Sequence, residues 1–126
     1  MRNESILKSK LMVQLKLDLL SFVALRHEDV RTSGIPDLSL TGFGRTSWWE
    51  CKHGDPTFAS TGIQELTMLR LAAAGYARYI IWEEKRGIER TLIVHPKHLA
   101  DLEPESWCVG FDMHWLVQQM RHVHDI

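Results

Sequence analysis

Two carboxylates and a lysine stand out by type and spacing. Asp37 follows Gly34-Ile35-Pro36, and Glu50 and Lys52 are separated by Cys51. Residues two apart on a strand share a face, so Glu50 and Lys52 project together while Trp49, Cys51 and His53 project the other way. Asp37 begins the preceding extended segment, and the intervening turn can bring it beside Glu50 across the strand pair. Asp37 and Glu50 together suit a hard, oxygen-seeking divalent cation, Mg²⁺ or Mn²⁺, which keeps several of its waters. The backbone carbonyl of Cys51 lies between the two acidic strand positions and Lys52 and is a further candidate ligand; its thiol points away. Such a cation polarises a phosphoryl oxygen and lowers the pKa of a bound water. Lys52 would orient or deprotonate that water and offset the developing negative charge. The chemistry in outline is metal-dependent hydrolysis.

The elements that must hold these groups can be read from periodicity and punctuation. Residues 4–20, with Asn3 able to cap them and no Gly or Pro inside, predict an amphipathic helix carrying Ile6, Leu7, Leu11, Val13 and Leu15. A short strand is expected within 22–30. Asp37 to Leu40 alternates polar and apolar, Thr41 to Arg45 is a turn with two glycines, and Ser47 to Lys52 is the second strand of a hairpin. A loop with Gly54, Pro56 and Ser60 leads to a helix from 61 or 62 to Ala74. Thr61 and Gln64 have the form of a capping box, and Gly75 fits the left-handed position after a helix. Ala77 to Glu83 reads as a strand buried on both faces, and Ile88 to Val94 as its neighbour. Pro96 to Leu102 and Asp112 to His122 predict two further helical segments. The expectation is one α/β domain over 1–126, with a motif-bearing core over about 4–94 and a helical extension over about 96–126.

Gly34-Ile35-Pro36-Asp37, twelve intervening residues, then Glu50-Cys51-Lys52 resembles the PD-(D/E)xK nuclease superfamily and, within it, the VRR-NUC family; the resemblance spans roughly residues 4–83. It implies a restriction-endonuclease-like core of helix, three strands, helix and strand, with a mixed sheet flanked by helices. It also implies a Glu on the first helix and a Gln opening the second, positions held here by Glu4 and Gln64. The catalytic set implied is then Asp37, Glu50, Lys52 and Gln64, and the metal set Glu4, Asp37, Glu50 and Cys51, with Mg²⁺ or Mn²⁺ and no organic cofactor. Members resembling this short, stand-alone form are often phage-borne, and compact members of the superfamily dimerise to cut branched DNA such as four-way junctions. The expected protein is therefore a structure-selective, metal-dependent DNA endonuclease working as a homodimer in the cytoplasm of a bacterial or phage-infected cell. Two cuts on opposite arms need two sites, and 126 residues carry one.

Plainer explanations stand beside these. Asp37 can be a polar strand start, Glu50 and Lys52 a solvated ion pair, Gln64 a cap, and Glu4 an acid favoured by the helix dipole. Trp48 and Trp49 beside Glu50 argue that this strand is not peripheral, and a carboxylate on a buried strand has a partner or a task. Arg31 and Ser33, leading into Asp37, and Arg45 are candidate phosphate contacts, with Lys8, Lys10 and Arg26 as further members of a basic rim. His122 and His124 are too few for a zinc site. The five tryptophans read as core or interface, with Trp82 and Trp107 candidates for a dimer face. Two rivals compete with the enzyme: an idle member of the same fold that binds DNA or protein, and a small α/β interaction protein whose motif matches arise by chance. In the latter, Asp37 and Glu50 would lie far apart.

Composition excludes other classes. Hydrophobic residues are 44% and charged residues 25%, the balance of a folded domain. Net charge is −1, so no global positive field gathers nucleic acid, and any such binding must come from a local surface. Two cysteines outside any CxxC pair point to a reducing compartment. No run approaches the ~18 apolar residues of a membrane span, and the first residues lack the apolar stretch of a secretory signal.

Overall fold

The computed structural model describes residues 3–28, 34–54 and 62–125. Helix α1 (Glu4–Asp18) begins where Asn3 Oδ1 accepts the Ile6 N–H at 2.9 Å, satisfying a donor the helix cannot. Leu7, Leu11 and Leu15 recur every four residues, share one face and are fully buried, each contributing about 2 kcal/mol of transfer free energy. Strand β1 (Val23–Arg26) follows, then β2 (Leu38–Gly42) and β3 (Arg45–Gly54). Helix α2 (Gly62–Ala74) crosses to β4 (Tyr76–Lys85), which turns into β5 (Ile88–Val94). A 3₁₀ turn (Pro96–His98), strand β6 (Ser106–Val109) and helix α3 (Met113–His122) complete the order.

Among the described residues, six strands form one sheet in the order β1-β2-β3-β4-β5-β6. The β3–β4 pair is parallel and the others antiparallel, because only β3 and β4 are joined through a helix. Strand alternation divides the core into two layers. Leu38, Leu40, Trp49, Cys51, Ile80 and Trp82 pack with the leucines of α1 and with Leu116, Val117 and Met120 of α3. Tyr79, Ile81, Leu92 and Val94 face Met68 of α2 on the other side. Glu50 and Lys52 pair with Tyr79 and Ile81, so they share the α2 layer.

The hairpin sets the register that matters. Phe43 and Gly44 take φ of 53° and 75° between the paired Gly42 and Arg45, the two positive values of a type I′ turn. From there the pairing runs to Leu38 opposite Trp49, so the next step outward sets Asp37 opposite Glu50.

Several sequence expectations differ from this fold. β6 is absent from the sequence reading because its large apolar residues, Trp107 and Val109, face outward on an edge strand of four residues. Gly75 donates to Leu71 O at 2.9 Å but does not take a positive φ, since the chain passes at once into β4. Trp82 is fully buried between sheet and helices and cannot form a dimer face. Thr61, the first residue of the capping box, lies outside the described residues. None of the described helices is long and apolar enough to cross a membrane.

Candidate active site

Asp37 is fixed from several directions. Pro36 before it is buried, and Gly34 takes φ +88° with the space for a Cβ closed by Thr67 Oγ1 at 2.9 Å and Ile63 Cγ2 at 3.0 Å. A side chain at position 34 would strain the backbone and strike α2. The Asp37 carbonyl accepts the His27 N–H at 2.7 Å, extending the β1 pairing by one residue. His27 carries its own anchor, Nε2 to Ser39 Oγ at 2.8 Å, with its ring against Trp48.

Asp37 and Glu50 then interlock. The Asp37 N–H donates to Glu50 Oε1 at 3.0 Å, and the Cys51 N–H donates to Asp37 Oδ2 at 2.8 Å. Gln64, in the first turn of α2, donates through Nε2 to Glu50 Oε2, while its Oε1 accepts from Lys52 Nζ at 2.9 Å. Lys52 Nζ lies 4.0 Å from Glu50 Oε2, the outer limit of an ion pair. From the opposite layer, Lys8 Nζ on α1 donates to Asp37 Oδ1 at 3.2 Å and lies 3.8 Å from Glu4 Oε2.

The electrostatics follow from burial. The Glu50 side chain is 4% exposed. Desolvation first, and the neighbouring Asp37 charge second, push its pKa from 4.5 up to about 8, with Lys52 only partly opposing them. Glu4 is raised too, by burial against the pull of Lys8. Burial lowers the Lys8 pKa, but the attraction of Asp37 outweighs it and the net shift is upward. Burial, then Asp37 and Glu50, push the Cys51 thiol up, so it stays a neutral core side chain facing away from the acids.

The sequence-nominated residues are thus sorted by position. Asp37, Glu50, Lys52 and Gln64 form one hydrogen-bonded cluster, to which Cys51 contributes its backbone N–H. Glu4 meets it through Lys8, 3.8 Å away, and otherwise at longer electrostatic range. It does not complete a carboxylate trio: among the described residues, the one group of three or more potential ligands with all atoms within 4.8 Å is His98, Asp101 and Glu103. That group lies on a surface turn where both Asp101 oxygens are already engaged, one by His98 Nδ1 and the other by the Glu103 N–H. Arg45 stands at the far end of β3, roughly 17 Å of strand from Glu50 at about 3.3 Å per residue, with its guanidinium on Val123 O at 3.3 Å. Arg26 is spent on Ser5 and Ser9 of α1. Arg31 and Ser33 lie outside the described residues. His122 pairs with Asp125 while His124 is buried against Ser47, so the two histidines do not converge.

Lys8 is the site member that sequence reasoning assigned to an outer basic rim. Its place next to the buried Leu7 sets it at the edge of the packed face of α1, but nothing in the spacing names Asp37 as its partner.

The donor set fits a hard divalent cation. Two carboxylates meet across a strand pair, one of them raised to about 8 by burial and by the other acid, and an ammonium already rests on Asp37 Oδ1.

Comparison with known proteins places the fold. No family model and no curated protein matches the sequence. The solved structure of Hjc, a Holliday junction resolvase from the archaeal hyperthermophile Archaeoglobus fulgidus, superposes with a TM-score of 0.50 at 16% identity, covering 71% of this chain and 75% of that one. This chain has the restriction-endonuclease-like α/β fold. The mixed sheet flanked by helices, expected from the resemblance, is the architecture found.

Proposed function

We propose that the protein is a metal-dependent endodeoxyribonuclease of the PD-(D/E)xK superfamily, of VRR-NUC type, acting on branched DNA such as four-way junctions. The observation that carries this reading is the interlock of Asp37 with Glu50 beside Lys52, on a fold shared with a Holliday junction resolvase. A chance motif match gives no reason for Asp37 and Glu50 to meet across the sheet.

Asp37 and Glu50 would hold Mg²⁺ or Mn²⁺, with the Cys51 carbonyl as a further ligand; Glu4, now paired with Lys8, would join them only after that lysine moved. When bound, the ion supplies Lewis-acid polarisation of the phosphate and a water of lowered pKa. Lys52, kept in place by Gln64 Oε1, would orient that water and offset charge on the phosphate oxygens. Gln64 acts as a brace: with one amide it grips Glu50 and Lys52 together, so the acid and the base keep a common geometry. Residues from α1, the segment entering β2, β3 and α2 converge here, and the sheet behind them supplies rigidity. A homodimer would present two such sites to opposite arms of a junction. With a net charge of −1, affinity rests on few phosphate contacts and falls only gently with salt.

The test is cleavage of labelled four-way junction, flap and linear duplex DNA with Mg²⁺ or Mn²⁺, alongside EDTA and the Glu50→Ala protein. The proposal predicts cutting that needs the metal, favours branched DNA and vanishes in the variant. Intact substrates with both metals and a folded protein overturn it. A gel shift on the same DNAs then separates an idle binding module from a protein that ignores DNA.

A further inference from the structure

We infer that Lys8 is a tethered cation that occupies the metal position beside Asp37 and so weakens divalent-metal loading, an inference that rests on the metal-dependent reading above. The Cys51 N–H takes Asp37 Oδ2 at 2.8 Å, which leaves Oδ1 as the oxygen free to meet a ligand, and Lys8 Nζ sits on it at 3.2 Å. The same ammonium lies 3.8 Å from Glu4 Oε2, between two of the carboxylates nominated as ligands. It also accounts for the distance of Glu4 from the other acids: the gap between Glu4 and Asp37 holds a positive charge.

An ordinary i,i+4 surface pair between Glu4 and Lys8 would leave the lysine in solvent. Here its side chain is 13% exposed and its nearer partner is 29 residues away in sequence. Lys52 is a different case, because Gln64 holds it on the α2 side of the sheet. Lys8 approaches from α1, on the opposite layer. Like charges at such separations repel by several times thermal energy even at a high effective dielectric, so Asp37 can accept a divalent ion through Oδ1 only once Lys8 swings off on its flexible stem. Lys8 is therefore a positioning residue: it holds Asp37 in the metal-free protein and sets how readily that carboxylate is surrendered.

The experiment is calorimetric titration of MnCl₂ into the full chain without DNA, for the wild type, Lys8→Met, Lys8→Gln, Lys8→Arg and Asp37→Asn, each checked for fold by circular dichroism. Removing the charge should tighten Mn²⁺ binding about tenfold, within the range seen when groups around a metal site are changed. Lys8→Gln keeps a donor to Asp37 without the charge and should tighten binding as Lys8→Met does, which keeps the test open if the methionine variant misfolds. Lys8→Arg should bind as the wild type, and Asp37→Asn should lose binding. Unchanged or weaker binding in both neutral variants overturns the role of Lys8 while leaving the metal site standing. Absence of Mn²⁺ binding in every protein, the neutral variants included, overturns both.

Discussion

The β2–β3 hairpin carries a buried polar cluster at each end, and the two differ in kind. At the turn, Trp49 Nε1 donates to Ser47 Oγ at 2.8 Å, Ser47 Oγ meets His124 Nε2 at 2.8 Å, and His124 Nδ1 meets Gly42 O at 3.0 Å. Ser47 and His124 are fully buried, and these partners satisfy one another along a chain that docks the end of α3 onto the sheet. At the open end, Asp37 and Glu50 are also bonded on every oxygen, yet acid is packed on acid and Glu50 is pushed to about 8. Complete hydrogen bonding therefore does not distinguish the structural network from the one proposed to be reactive. The difference lies in the carboxylates: the turn end closes upon itself, whereas the open end packs two acids together.

Substitutions should separate the two ends. The largest effect is expected from Asp37→Asn or Lys52→Met, which should reduce metal-dependent cleavage by at least about a hundredfold, the scale of losing one group that stabilises transition-state charge; both proteins should melt near the wild-type temperature. Single-turnover assays check this. Gln64→Ala should fall between, losing about 10- to 100-fold in activity as an outer partner of ligands does. Retention of full activity would reduce Gln64 to a helix-start residue.

At the turn end the effect should be on stability alone. His124→Ala strips Ser47 Oγ and Gly42 O of a buried partner and should cost about 1–3 kcal/mol, read as a lower denaturation midpoint in urea. Activity per folded molecule should be unchanged. A loss of cleavage without loss of stability would merge the two ends into one functional unit.

The remaining effect is a pH trend. Between the ordinary 4.5 and about 8, folded Glu50 keeps a proton that the unfolded chain releases. Stability in EDTA should therefore fall as pH rises through that window, the reverse of the usual carboxylate behaviour. Glu50→Gln should flatten the trend, and the gain in melting temperature from added Mg²⁺ should grow with pH because binding expels that proton. A flat wild-type profile from pH 5 to 8 would show that burial beside Asp37 does not hold the Glu50 proton.

Much of this arrangement was readable beforehand, for local reasons. Asn3 capping, the four-residue leucine spacing of α1, the paired glycines around Phe43 and the alternation through Trp49, Glu50 and Cys51 are short-range signals, and together they imply the Asp37–Glu50 register. What escaped is non-local or inverted. Lys8 reaches across 29 residues to Asp37, a contact no spacing encodes. His124 looks like half a metal site but is consumed by Ser47, 77 residues away. Arg45 adjoins the site strands in sequence yet occupies the wrong end of β3. β6 shows its apolar residues outward, so alternation alone gives no inward face to recognise.

The open end of the hairpin, where acid meets acid, is the end proposed to do chemistry, and the turn end is proposed to be structural. The direct measurement is Mg²⁺-dependent cleavage of a labelled four-way junction by the wild type, Glu50→Gln and Ser47→Ala in parallel, each normalised to folded protein. Cutting is expected from the wild type and Ser47→Ala, and none from Glu50→Gln above the EDTA background. Cutting by a folded Glu50→Gln at the wild-type rate would contradict it.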